Sequence, residues 1–261
     1  MARLDVPPPA TALGSTAALV AATAANLAAW HELHLGALGH ATTYRDGLWL
    51  TGDRVPHIFF SAIAVRPDAS ARACEQGTTN QGWIAVCDPW SDLPLRDGFS
   101  IEASHPWMVR APLGRLALPH RSLNRPIIAV ERVSDEDGLI DFERASAIGF
   151  GSEPQPPFTW HAPPVLRDPR LALWRGRAGG RTVSTSMSFA HAGVIGIYGV
   201  STIPDARRRG FATALTEAAL GHDPALPSVL QPSRMGESLY AALGYRRFTA
   251  FRSWVRSPSA T

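Results

Sequence analysis

Gly199-Val200-Ser201-Thr202-Ile203-Pro204-Asp205-Ala206-Arg207-Arg208-Arg209-Gly210-Phe211-Ala212-Thr213 decides the fold. An apolar strand, 194–200, runs into a short polar loop with three consecutive arginines, and a glycine then opens a helix over 209–221. Phe211, Ala214, Leu215 and Ala218 recur at i, i+3, i+4 and i+7, the stripe of a helix packed on a sheet. The first N–H groups of such a helix have no internal partner, and the macrodipole adds partial positive charge, so the loop and helix start form an anion site. Gly210 lets a ligand approach the backbone, Ala212 keeps the next turn small, and the arginines add charge-assisted bonds. A pyrophosphate fits such a cradle. It is not a Walker loop, because no Gly-Lys-Ser/Thr follows, and only one glycine of the three-glycine dinucleotide fingerprint is present.

Working outward, the C-terminal half alternates short strands and helices. Strands are predicted at 126–133, 171–175, 182–190, 194–200, 228–231, 245–248 and 251–255, and helices at 135–148, 209–221 and 233–243. Gly179-Gly180 and Ala192-Gly193 read as hairpin turns, 154–164 as a proline-rich loop, and Gly244 as the glycine that stops the last helix. The order β-α-β-β-β-α-β-α-β-β predicts an α/β domain over 127–261, a mixed, twisted sheet flanked by helices. Before it, 1–14 reads as a disordered leader and 15–38 as a buried helix. Strands follow at 41–51 and 56–65, joined by a hairpin turn at Gly52-Asp53-Arg54, then a surface loop or weak helix at 66–82. Strands at 82–87 and 98–109 and a linker at 112–126 complete a separate N-terminal α/β domain over 15–125.

Composition narrows the function classes. A chain of 261 residues exceeds the roughly 100–200 usual for one domain, and 45% hydrophobic with 18% charged residues excludes a wholly disordered chain. All 25 basic residues are arginine and the formal net charge is +3. The absence of lysine fits a GC-rich genome, so the basic balance is not read as a nucleic-acid signal. Cys74 and Cys87 are too few for a disulfide framework and lack metal-ligand spacing. A reduced, cytoplasmic setting without a bound metal is expected. The uncharged stretch 15–30 is shorter than the roughly 20 apolar residues of a membrane span, and Arg3 is offset by Asp5 where a signal peptide wants a basic region. No membrane partner is expected.

A second motif lies further on, Ser233-Arg234-Met235-Gly236-Glu237-Ser238-Leu239-Tyr240-Ala241-Ala242-Leu243-Gly244-Tyr245. With Arg207-x-x-Gly210-x-Ala212, it resembles the GCN5-related N-acetyltransferases (the GNAT superfamily). The first matches that family's Q/R-x-x-G-x-G/A signature, and the second its a-x-x-L-Y-x-x-L-G-F helix, with Tyr245 at the last position. Val200-x-Thr202 and Pro204 look like the strand that precedes the signature. The resemblance covers about 127–261, with the two motifs in order and at a family-like separation.

That resemblance implies an enzyme: an acyltransferase moving an acetyl group from acetyl-CoA to a primary amine of a small-molecule or peptide acceptor, by direct attack in a ternary complex. Backbone groups of Val200 and Thr202 would pair with the pantetheine arm as an added strand. The N–H groups of Arg208, Arg209, Gly210, Phe211, Ala212 and Thr213 would hold the pyrophosphate beside Arg207, and the Val200 N–H would polarise the thioester carbonyl. Tyr240 would protonate the departing thiolate as general acid. His191, Tyr198 and Glu237 lie in plausible regions for a base, although no motif fixes the role. Dimers are common in the family, so a homodimer is a further expectation. The 15–125 half carries no signature match. The analogy for it is a tandem GNAT protein with a degenerate copy of the fold that shapes the acceptor pocket.

Other readings of the same residues exist. The bland reading of the arginine run is a solvated patch or a phosphate-backbone contact, but no interleaved aromatics or reading helix accompany it, and the motif context favours the cofactor site. Tyr240 sits beside the packing stripe Met235, Leu239 and Leu243, where a core aromatic also belongs. His191 reads most simply as a turn residue, and the cysteines as buried thiols. The alternative function is an acyl-CoA-binding sensor or scaffold without turnover.

Overall fold

The structure, a computed structural model, describes residues 14–78, 83–96, 98–113 and 129–257. The leader expected over 1–14 and the linker expected over 112–126 lie almost wholly outside them.

Helix α1, Thr16–Ala37, starts at Ser15, whose hydroxyl accepts the Ala18 N–H at 3.2 Å. Its alanines let it bury most of its circumference. Val20, Ala24, Ala28, Trp30 and Leu35 pack in one cluster with Trp49, Ile63 and Phe251 on one side and Leu173, Met187 and Phe189 on the other. The helix therefore lies across both halves of the molecule. Among the described residues no helix is long and apolar enough to cross a membrane.

Strands β1 (Thr42–Arg45) and β2 (Leu48–Thr51) form a hairpin around Asp46-Gly47, with φ of 50° and 77°. The stretch 41–51 is thus two strands, and the turn falls earlier than the expected Gly52-Asp53-Arg54. Asp-Gly supplies the two positive-φ positions that a two-residue hairpin requires. Of 56–65, only β3 (Ala62–Ala64) is strand; from Pro56 to Ser61 the chain turns, with the Phe59 N–H on the Pro56 carbonyl. Helix α2 (Ala71–Gly77) resolves the loop-or-helix alternative, and β4 (Ile84–Asp88) and β5 (Ser100–Arg110) follow.

The second half runs β6 (Ala129–Arg132), α3 (Glu136–Gly149), β7 (Leu171–Ala178), β8 (Arg181–His191), β9 (Val194–Thr202), α4 (Phe211–Leu220), β10 (Ser228–Leu230), α5 (Glu237–Ala242) and β11 (Arg246–Arg256). Two C-terminal strands were expected; β11 is a single strand with an irregular register between Arg247 and Thr249. The helix expected over 233–243 is trimmed to α5, and Met235, assigned to its packing stripe, is 78% exposed.

Among the described residues all strands belong to one 11-stranded sheet in the order β1-β2-β3-β4-β11-β5-β10-β9-β8-β7-β6, and its parallel pairs there are β3–β4 and β9–β10. The order carries an exchange: β5 stands between β10 and β11, while β11 pairs with β5 and β4. Alternation along β8 sets the layers. Met187 and Phe189 face α1 and α3, whereas Ser186 donates to the Leu215 carbonyl at 3.0 Å on α4. A Cβ on Gly176 would lie 2.9 Å from Leu215 and 3.0 Å from Phe211, so small residues bring α4 close to the sheet.

Candidate active site

Strand β9 is kinked where it meets a cavity. Thr185 pairs with Ser201 and Met187 with Tyr198, so Gly199 and Val200 together oppose one residue of β8, a β-bulge. Gly199 has φ of 58°, and a Cβ there would lie 2.7 Å from the Met187 methyl. Glycine meets both demands, the left-handed backbone and the close approach. The Thr185 hydroxyl donates to the Gly199 carbonyl at 3.0 Å and holds the kink.

The other edge of β9 opens at the same level. Parallel pairing with β10 consists of Ser228↔Ile195 and Val229↔Gly196, and β9 then continues to Thr202 without a strand beside it. β10 ends at Leu230, and Pro232, lacking an N–H, cannot extend the ladder. The open edge leads to the N-terminus of α4. Arg208 has φ of 64°, and Gly210, at the N-cap, has φ of 84° with no side chain capping the helix. The first-turn N–H groups from Phe211 onward therefore lack a side-chain partner at that cap.

The three arginines separate. Arg208 and Arg209 are exposed. The Arg207 guanidinium bridges the Thr202 carbonyl (Nε, 3.1 Å) and the Gly149 carbonyl (Nη2, 3.0 Å), tying the exit of β9 to the end of α3. Thr202 is held from the side by the Ser184 hydroxyl at 2.9 Å.

Tyr240 lines the same cavity as Val200. Gly236 makes room for its ring, since a Cβ there would lie 3.0 Å from Cε2. The ring meets Tyr245 edge-on at 5.8 Å, and burial pushes the phenol up to about 12, so it stays protonated at neutral pH. Its neighbour Glu237 is gripped by both Arg247 nitrogens, with Nη2 2.7 Å from Oε2, and that hydrogen bonding holds its carboxyl below the usual range.

Two groups of side chains line a cavity of about 1050 Å³: Val200, Leu230 and Tyr240, which pack in one cluster, and Trp30, Phe60 and Trp107, which pack in another. Here Tyr198 stacks on Trp30 at 4.8 Å, and its hydroxyl donates to Asn26 Oδ1 at 2.6 Å. Asn26 Nδ2 lies 3.0, 3.1 and 3.2 Å from the carbonyls of Phe189, His191 and Val194, fastening α1 to the β8–β9 hairpin. Burial raises the Tyr198 phenol, so with its proton donated to Asn26 it is a wall and not a base. His191 belongs to the hairpin and is not among the residues lining the cavity.

Trp160 and His161 complete the wall. Glu143, on α3, accepts the Phe158 N–H at 2.7 Å, the Trp160 N–H, and the His161 N–H at 3.3 Å. His161 and His34 meet edge-on at 4.8 Å, and burial lowers both; His161 falls to about 4. His161 Nδ1 and the Trp30 indole N–H are buried without a partner. His31 is fully engaged: its Nδ1 lies 2.8 Å from the Leu27 carbonyl, and its Nε2 accepts the Phe60 N–H at 3.0 Å.

The structure thus brings Val200 and Tyr240 together in the lining of one cavity, whereas Thr202 and the 207–213 loop are not among its lining residues and are joined to it along β9, and it removes Tyr198, Glu237 and His191 as free bases. The sequence reading missed the bulge, Asn26 and the Glu143-clamped loop. Gly199 inside an apolar strand was the available signal for the bulge. Among the described residues no cluster of three or more His, Cys, Asp or Glu has the geometry of a metal site.

No protein-family model matches this sequence, and no curated protein matches it. Solved structures do match. A GCN5-related N-acetyltransferase from Kribbella flavida is similar with a TM-score of 0.59 at 17% identity, over 90% of this chain and 96% of that one. An acetyltransferase of the GNAT family from Novosphingobium aromaticivorans gives 0.55 at 20% identity, over 92% of this chain and 99% of that one. A GCN5-related N-acetyltransferase from Sphaerobacter thermophilus gives 0.50 at 18% identity, over 71% and 63% of the two chains. At these identities the likeness is one of fold, and in the first two it runs through both halves of the molecule.

Proposed function

Starting from a chain with the fold of the GCN5-related N-acetyltransferases, we propose that it is an acetyl-CoA-dependent N-acetyltransferase acting on an amine acceptor. One observation carries the reading. The β9 edge, left open past Gly196 and kinked at Gly199, leads without interruption to an α4 N-terminus that no side chain caps. An extended pantetheine arm adds to such an edge as a strand does, and a pyrophosphate suits the free N–H groups.

The residues then divide the chemistry. Backbone groups of Val200 and Thr202 position the arm, and the Val200 N–H stabilises charge developing on the thioester oxygen. The amine nitrogen attacks the carbonyl carbon, forming the N–C bond as the C–S bond breaks. Tyr240, kept protonated by burial, gives its proton to the sulfur, while the nitrogen loses one proton toward solvent. Arg207 acts through the backbone, fixing the strand exit from which the loop springs.

The test is thermal unfolding with and without acetyl-CoA, for wild type and Gly210→Glu. At 100 times its dissociation constant the ligand adds roughly 2.7 kcal/mol to the wild type. The variant, with a side chain and a charge in the cradle, is expected to show no shift. An equal shift in both proteins moves the site elsewhere, and no shift in either overturns the reading.

A further inference from the structure

The acceptor end of the cavity differs in chemistry from the donor end. Trp30, Phe60, Trp107 and Trp160 line it, and the first, third and fourth are nearly fully buried. These rings are fixed by their neighbours: Trp107 lies 5.2 Å from Phe251, Phe60 6.1 Å from Phe251, and Trp30 4.8 Å from Tyr198. Among the described lining residues the one carboxylate is Glu237, and Arg247 holds both its oxygens. The remaining charge near that mouth is the Arg234 guanidinium, the wrong sign for an ammonium group.

Resting on the acetyltransferase reading, we propose that the acceptor is an aromatic amine, a flat ring carrying a weakly basic nitrogen that enters uncharged. Two requirements meet in that class. Rigid aromatic walls favour a flat apolar body, which gains burial and ring-on-ring contact. An ammonium ion would be desolvated there without a carboxylate partner, and it would need a base before it reacted. His31 cannot serve as that base, since both its nitrogens are engaged. An aromatic amine, several pH units less basic than an aliphatic one, arrives with its lone pair free. When its nitrogen attacks the thioester carbon, the bound nitrogen becomes acidic. The proton it sheds passes to solvent, as in the reaction proposed above. Tyr240 protonates the departing sulfur, so the products are an anilide and CoA thiol.

The experiment compares 4-methoxyaniline with 2-phenylethylamine, two amines of similar size that differ in basicity, alongside spermidine, by thiol release from acetyl-CoA at neutral pH. Binding of acetyl-CoA is measured separately by calorimetry. The expected kcat/KM for 4-methoxyaniline is at least ~10-fold above that for 2-phenylethylamine, consistent with discrimination by a buried unpaired charge. Spermidine is expected to be inert. Phe60→Leu and, independently, Trp160→Leu are expected to raise the arylamine KM about 10-fold and leave acetyl-CoA affinity unchanged. Faster turnover of 2-phenylethylamine or spermidine overturns the proposal, as does absence of arylamine turnover in a protein that binds acetyl-CoA. Tighter binding of a long-chain acyl-CoA than of acetyl-CoA, lost in Phe60→Leu, also overturns it, because the aromatic lobe would then hold the acyl chain. Absence of acetyl-CoA binding removes the acetyltransferase reading itself, and this proposal with it.

Discussion

The donor end and the acceptor end of the cavity are built by opposite means. The donor end uses main chain: a bulge at Gly199, an open β9 edge, a left-handed Gly210, and an uncapped helix start. Its parts lie mostly within 194–213, close in sequence. The acceptor end uses side chains drawn from α1, from 58–60, from β5 and from 160–161, which meet through contacts such as Asn26 to Phe189. A ligand common to many proteins is met with backbone, which any sequence can supply once the glycines are in place. The acceptor is met with rings whose identity each protein sets for itself. The exchange of β5 and β11 serves this division, since it carries β5, with Trp107, beside the donor strands.

If that division is real, the largest effect of a single atom falls at the donor end, on chemistry alone. Tyr240→Phe removes the proton source and leaves the ring in place. The expected outcome is a fall in kcat of about 100-fold, the lower end of what a positioned acid contributes, with the acetyl-CoA dissociation constant unchanged. Single-turnover thiol release together with calorimetry checks it. An unchanged rate in a chemistry-limited assay makes Tyr240 a packing residue, as its contact with Tyr245 allows.

The same contrast explains what the sequence disclosed. The start of α4 at Gly210 and the last helix carrying Tyr240 were readable because their motifs are local, and the long α1 was readable from its uncharged, alanine-rich run. Hairpin β1–β2 was misplaced because Asp46-Gly47 sits inside an apolar stretch whose composition suggested one strand. β11 was split because Thr249-Ala250 interrupts the apolar pattern, yet pairing on both sides carries the strand through. Helix α5 was drawn too long because Met235 fits the period, but Gly236 and the Ser233 turn keep that residue in solvent. The acceptor wall could not be read at all. Nothing local to Asn26 or Glu143 says that one will hold three distant carbonyls and the other a loop.

Asn26 tests whether the acceptor wall is separable from the donor end. Asn26→Ala leaves the Tyr198 hydroxyl and the carbonyls of Phe189, His191 and Val194 without their partner in a buried place. A loss of about 2–3 kcal/mol is expected by denaturant unfolding, from groups desolvated and unpaired. Because Tyr198 stacks on Trp30, the acceptor KM should rise, while acetyl-CoA affinity holds. Equal damage to both affinities would mean that the β9 bulge depends on α1 and that the two ends are one unit.

The smallest effect is a slope. His31 and His161, both in the acceptor wall, are lowered by burial to about 4, and His34, packed against His161, is lowered as well. Above pH 6.5, the ordinary histidine value, both folded and unfolded chains hold these rings neutral, and they add no pH dependence. As pH falls from there toward 4, the unfolded chain takes up protons that the native wall refuses, so stability is lost with acid. Each ring contributes up to about 1.4 kcal/mol per pH unit across that window. His105, His191 and His222, partly exposed and lowered less, add in the same direction. Urea unfolding at about pH 7, 6 and 5 should therefore show a steep decline, and His161→Gln should flatten it by roughly one ring's share. A flat profile in the wild type would mean that water reaches these histidines and that the acceptor wall is wet, which removes the reason to expect an uncharged substrate there.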